Sequence, residues 1–155
     1  MEPGHALRSY VQDISGGQPQ PITEEGIIAL LVSPDGKRLV AWAPDKGPEG
    51  KYYLSPIDGT KSNPIPRLEM GEVPIQWSAD GRALYVRGSG DFTTNIYRID
   101  LSSGRRDHRT DIVPDPVGFT FLETPGGIRI TPDGKSYVYT YWTALRDLFL
   151  AEGLK

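Results

Sequence analysis

The sequence predicts an all-β fold built from repeated four-stranded antiparallel units, and three observations support this. The first is a turn that recurs as Ser33-Pro34-Asp35-Gly36, Ser78-Ala79-Asp80-Gly81 and Thr131-Pro132-Asp133-Gly134. Pro or Ala suits the second position of a type I turn and Asp the third, and Gly follows where φ turns positive. Each copy separates two short apolar runs, a strand-turn-strand pattern. The second observation is the period. Gly36, Gly81 and Gly134 lie 45 and 53 residues apart, and Tyr52, Tyr97 and Phe149 follow them by 16, 16 and 15 residues. The third is another glycine turn, at Gly59 and Gly104, seven residues after each tyrosine. Units of ~40–45 residues with four antiparallel strands are the mark of β-propeller blades.

The chain opens on the second half of a unit. Tyr10-Val11-Gln12-Asp13-Ile14-Ser15-Gly16-Gly17 aligns with Tyr97-Arg98-Ile99-Asp100-Leu101-Ser102-Ser103-Gly104. With the strands of a unit lettered a to d, this half blade (1–26) gives c at 8–14 and d at 18–23. The first full blade (27–71) gives a at 27–33, b at 38–43, c at 51–55 and d at about 61–65. In the second (72–112) the strands fall at 73–78, 83–87, 95–100 and 106–112. The third (113–155) gives 127–131, 136–142 and 145–152 and lacks its outer strand. The prediction is thus a partial propeller of thirteen strands, just over three blades, in one domain over 1–155. A complete ring has roughly four to eight blades, so the chain is expected to be the C-terminal part of a larger propeller.

The runs are mostly apolar rather than alternating, as in Ile27-Ile28-Ala29-Leu30-Leu31-Val32 and Tyr137-Val138-Tyr139. Strands covered on both faces read this way. Val32, Trp77 and Ile130 before the turns, and Leu39, Leu84 and Tyr137 after them, are expected in the core. Two stretches depart from the pattern. Residues 113–127 hold the eight extra residues of the longer spacing, and Phe119-Thr120-Phe121-Leu122 within them suits an extra strand. Residues 143–150 have a spacing that also suits one amphipathic helix, although the repeat alignment points to a strand.

Composition narrows the function classes. A formal net charge of −3 argues against a nucleic-acid partner. The absence of cysteine excludes disulfides and thiolate metal sites, and leaves the compartment open. No apolar run approaches the ~20 residues of a membrane span, so no direct membrane contact is expected. Met1-Glu2-Pro3-Gly4-His5 lacks the basic and apolar regions of a signal peptide. An exported form would carry its signal on a longer parent chain.

No catalytic, cofactor-binding or metal site emerges from the residues. Asp35, Asp80 and Asp133 recur, yet their place before Gly explains them as caps of their own turns. Asp13, Asp100 and Glu152 recur at the end of strand c, where turn bonding again suffices. His5 and His108 have no second ligand at metal spacing. The run Arg105-Arg106-Asp107-His108-Arg109 reads as a solvated outer strand rather than an anion site, because its acids interrupt it. Gly88-Ser89-Gly90 is a loop, and no G-x-S-x-G elbow or phosphate-binding glycine loop is present. Tyr52, Tyr97 and Phe149 occur once per blade, which favours inter-blade packing over a stacking platform. Binding would fall to loops on one rim, at 44–50, 88–94 and 113–127.

Trp77-Ser78-Ala79-Asp80-Gly81-Arg82-Ala83-Leu84-Tyr85-Val86, followed by Asn95-Ile96-Tyr97-Arg98-Ile99-Asp100-Leu101-Ser102-Ser103-Gly104, resembles the WD40-like repeat of the TolB type. Such blades occur in periplasmic TolB, in prolyl-oligopeptidase-like peptidases and in bacterial signalling proteins. A closer resemblance rests on four stretches: Val11-Gln12-Asp13 with Gly16-Gly17, Pro74-Ile75-Gln76-Trp77-Ser78, Thr131-Pro132-Asp133-Gly134-Lys135-Ser136-Tyr137, and Asp147-Leu148-Phe149-Leu150-Ala151-Glu152-Gly153-Leu154-Lys155. These are similar to the C-terminal end of acidobacterial-type eukaryotic-like Ser/Thr protein kinases, where a kinase domain is joined to a TolB-like propeller. The Gly-rich loop, H-R-D and D-F-G motifs of a kinase are absent from this sequence.

The resemblance implies a non-catalytic interaction or sensor module that recognises a protein or peptide without a cofactor, extracytoplasmic if the signalling likeness holds. A different class is the propeller part of a prolyl-oligopeptidase-like peptidase, gating substrate access. That enzyme needs a catalytic domain after the propeller, whereas this ending resembles a natural terminus. A free-standing chain is expected to self-associate through the open faces of its first and last blades.

Overall fold

The computed structural model describes residues 6–47, 50–89, 93–113, 119–121, 127–140 and 142–144. Among these, all regular structure is β, in fourteen strands. The leading pair is β1 (Tyr10–Val11) and β2 (Gln20–Pro21). Blade I is the meander β3 (Ile28–Val32), β4 (Arg38–Ala43), β5 (Lys51–Pro56) and β6 (Asn63–Pro64). Blade II is β7 (Val73–Trp77), β8 (Ala83–Ser89), β9 (Thr94–Asp100) and β10 (Arg106–Ile112). Both are four-stranded and antiparallel throughout. In the third unit β12 (Ile128–Ile130) pairs with β13 (Tyr137–Tyr139), and β11 (Phe119–Phe121) pairs with β14 (Trp142–Ala144).

The extra strand expected near Phe119 therefore exists as β11, beside the continuation of strand b. The segment 145–152, expected as strand c, and Phe149 with it, lies outside the described residues. Outer strand d of blade I is shorter than expected. Pro64 has no N–H to give to a ladder, and Pro66 follows two residues later, so pairing stops after two residues. A bulge interrupts strand a of both full blades, at Leu30 between Ala29 and Leu31 and at Ile75 between Pro74 and Gln76. These positions are one repeat apart, so the bulge belongs to the blade design.

The Asp-Gly turns are built alike. Ser33, Ser78 and Thr131 donate their hydroxyls to Asp35, Asp80 and Asp133 at 2.5, 2.6 and 2.5 Å. The same carboxylates accept from the amides of Lys37, Arg82 and Lys135 at 3.1, 3.0 and 3.1 Å. Gly36, Gly81 and Gly134 sit at φ 70°, 66° and 69°. The turns stand beside one another. Arg38 donates to the Gly81 carbonyl at 2.6 Å, with its guanidinium 5.1 Å from the Trp77 ring centre. The Ala79 amide donates to the Pro132 carbonyl at 2.8 Å.

Two apolar clusters fill the gaps between blades. Val40, Ile65, Trp77, Leu84, Val86 and Ile99 lie between blades I and II, with Tyr52 and Tyr97 packed against them. Tyr85, Ile96, Ile112, Ile128 and Ile130 lie between blade II and the third unit. Along β8, Leu84 and Val86 face one neighbour and Tyr85 the other, which is why its sequence does not alternate in polarity. Tyr52 and Tyr97 both pack against the cluster between blades I and II, but not as equivalents: the ladders set Ala41 opposite Tyr53 and Val86 opposite Tyr97, so strand c is one residue out of the expected alignment and Tyr53, not Tyr52, holds the place of Tyr97.

Trp77, Ile130, Leu39 and Leu84 are buried as expected. Val32 and Tyr137 are not, at 57 % and 41 % exposed. The residue before each turn faces the preceding blade, and among the described residues only β1 and β2 precede blade I. Val32 has no inner strands to cover it. Tyr137 lies opposite Ile130, on a strand whose described pairing is to β12 alone.

Candidate functional site

Hairpins alternate ends along a blade. The Asp-Gly turns close strands a and b at one end, and the b–c loops lie at the other. At that second end a cleft of about 810 Å³ opens along the junction of blades I and II. One side comes from blade I: Lys46 and Gly47 of the b–c loop, then Lys51 and Tyr53 of β5. The other comes from Val73 at the start of β7 and Arg87 of β8. The connection between the blades forms a wall, with Leu68, Glu69, Met70 and Glu72. Met70 is 89 % exposed, an unusual setting for a flexible apolar side chain. A smaller hollow of about 390 Å³ on the other side of blade I shares Lys46 and Tyr53 with the cleft.

The wall is held by Arg106. Its guanidinium donates to both carboxylate oxygens of Glu72, at 2.8 and 2.6 Å. It also donates to the Arg67 carbonyl at 3.0 Å, lies 3.4 Å from Glu69 and stacks 4.5 Å over the Tyr97 ring. Glu72 is only 6 % exposed and accepts from the Glu69 amide at 2.8 Å. The hydrogen bonds to Glu72 push the Arg106 pKa above its already high ordinary value. Arg67 stands at φ 55°, a conformation that costs about 1 kcal/mol or more for a residue with a Cβ. Arg106 secures its carbonyl in that position.

The run 105–109 is therefore mixed in role. Arg106 is turned inward as a positioning residue, while Arg105 pairs with Asp107 at 3.0 Å on the surface. His108 bonds Asp111 at 2.7 Å and meets Tyr97 edge-on at 5.5 Å. That bond, with one from Asn95, lowers the Asp111 pKa. The turn carboxylates Asp35, Asp80 and Asp133 are also lowered, chiefly by the hydroxyl each accepts. Asp13 and Asp58 are lowered by Ser15 and Thr60, and Asp100 by Ser103 and Ser102. None of these aspartates lines the cleft. His5, Glu152 and Phe149 lie outside the described residues. Among the described residues, no group of three or more His, Asp or Glu is placed to hold a metal ion.

Of the three rim loops expected to bind, 44–50 supplies Lys46, Gly47 and Gly50 to the cleft. Parts of 88–94 and 113–127 lie outside the described residues. Lys51, Met70 and Arg87 were not singled out in the sequence. They come from two blades and the connection between them, and no local motif joins them.

No protein-family model matches the sequence, and no curated protein matches it. Among solved structures the chain is similar to TolB from Acinetobacter baumannii, with a TM-score of 0.58 and 23 % identity. That match covers 83 % of this chain and 30 % of TolB. It is also similar to a TolB candidate from Agrobacterium tumefaciens, with a TM-score of 0.56 and 22 % identity over 81 % of this chain and 44 % of that one. The chain thus spans less than half the length of either, and the likeness is one of fold: a TolB-like propeller.

Proposed function

We propose that the chain, with its TolB-like propeller fold, is a non-catalytic interaction module that recognises a protein or peptide at the rim cleft between blades I and II. It would belong to a bacterial signalling protein, in an extracytoplasmic region carried by a longer kinase-associated chain. The observation that supports this reading is the cleft itself. It combines an apolar wall with charged edges, as recognition sites do. It also sits where loops vary on a fixed blade scaffold. The signalling context draws on the sequence resemblance alone.

The test is a photo-crosslinking residue placed at Met70, with a second at exposed Ser102 as a control, in the source cells. Adducts to another protein are expected at Met70 and not at Ser102. Equal or absent adducts at the two positions sink the interaction reading. Reading the parent locus tests the context: a kinase domain and membrane span upstream are expected, and a Ser-Asp-His hydrolase domain downstream overturns it.

A further inference from the structure

We propose that the rim cleft takes an acidic peptide segment, with one or two carboxylates beside an aliphatic or aromatic side chain. This rests on the interaction reading above and names the chemistry of the partner. Lys46, Lys51 and Arg87 line the cleft. Among the described residues, no ion pair or side-chain hydrogen bond engages any of the three. The two acids in the lining are differently placed. Glu72 is clamped by both guanidinium nitrogens of Arg106, and Glu69 lies 3.4 Å from the same group. Their charge is answered from within the wall, so three cations face the opening unanswered.

This local sign is opposite to that of the whole chain, whose formal charge is −3. A concave cationic site on an acidic protein steers acidic groups towards itself and away from the rest of the surface. Charge alone would suit a phosphate backbone equally well. The apolar wall favours a peptide instead. Leu68 and exposed Met70 offer aliphatic surface with no phosphate-binding chemistry, and Tyr53 is also part of the lining. Methionine on a binding surface adapts to varied apolar side chains. The volume of about 810 Å³ suits a few side chains rather than a folded domain.

The experiment is a selection of random twelve-residue peptides displayed on phage against the purified chain. Binding of the enriched peptides is then measured by fluorescence polarisation. Enriched peptides should share Asp or Glu next to an apolar residue and should weaken as salt rises. Charge reversal by Lys51→Glu with Arg87→Glu should cost tenfold or more in affinity, and Lys46→Glu alone a smaller loss. Thermal unfolding checks that the variants fold. Lys46 lies on an exposed loop, so its variant decides the matter if the double variant fails to fold. Binders without carboxylates, or indifferent to these reversals, overturn the acidic assignment and leave the interaction reading standing. Displacement of the peptides by oligothymidylate of equal charge assigns the cleft to nucleic acid and overturns the proposal. A selection without binders removes both readings.

Discussion

Asp35, Asp80 and Asp133 each accept from a hydroxyl within the four-residue turn and from the backbone amide just after it, and these bonds favour the ionised carboxylate. Their pKa values are lowered in the folded chain, as are those of Asp13, Asp58, Asp100 and Asp111. An unfolded aspartate titrates near ~3.9. Above that value the carboxylates are ionised in both states, and their contribution to stability is fully present. As pH falls below it, the unfolded chain binds protons first, and the contribution is lost through the lower folded values. Stability should therefore be flat from neutral pH to about 5 and fall steadily below about 4. The triple variant Asp35→Asn, Asp80→Asn, Asp133→Asn should be less stable at pH 7 and show a shallower fall. Urea unfolding between pH 7 and 3 measures both. An unchanged slope in the variant would mean that other carboxylates set the acid response. This part of the molecule was legible in the sequence because an Asx turn is local: hydroxyl, carboxylate and glycine lie within four residues.

At the scale of elements, the blade junction depends on Glu72, just before β7, and Arg106, the first residue of β10. Their side chains are 5 % and 19 % exposed, and the pair is bidentate. Removing the cation leaves a carboxylate in a nearly dry site, and it also releases the Arg67 carbonyl and the face of Tyr97. Arg106→Met should cost about 2–4 kcal/mol, at the low end for a buried pair because the arginine is partly wet. Adding Glu72→Gln should restore part of that loss, since the uncompensated charge is then gone. Denaturant melts of the single and double variants measure this, and a loss below about 0.5 kcal/mol for Arg106→Met would show the pair to be idle. The strands themselves could be read from turn chemistry and period. The pair could not, because 34 residues separate its members and an outer-strand arginine looks like any solvated charge. Its inward turn depends on Tyr97 lying beneath it. The repeat alignment gives β6 the length of its counterpart β10, but Pro64 lacks the N–H that a ladder needs, and the strand stops at two residues.

Across the whole molecule, blade II is sandwiched, whereas among the described residues the outer face of each neighbour is only partly covered: Leu39 is buried on blade I, but apolar side chains beside it are not. On blade I, Leu30 and Val32 are 45 % and 57 % exposed, and on the third unit Val138 is 68 % exposed. The repeat period identifies which positions are homologous, but burial depends on which neighbours exist. Val32 and Trp77 hold the same place in their blades, yet Val32 is exposed and Trp77, with blade I beside it, is buried. Apolar sheet faces of this kind stack in propellers and solenoids, each unit covering the next. We therefore propose that the isolated chain associates head to tail, the blade I face of one copy against the third-unit face of another. Such a contact is heterologous, so it does not close on itself in pairs and grows with concentration. Sedimentation velocity should show weight-average mass rising with concentration. Val32→Lys and Val138→Lys each place a charge on one face, at positions exposed enough to leave the fold intact, and each variant alone should stay monomeric. Mixed in equal amounts they should form dimers and stop there, because each supplies the face that the other has lost. A monodisperse wild-type monomer at high concentration would refute association altogether. Dimers in either variant alone would refute the head-to-tail geometry.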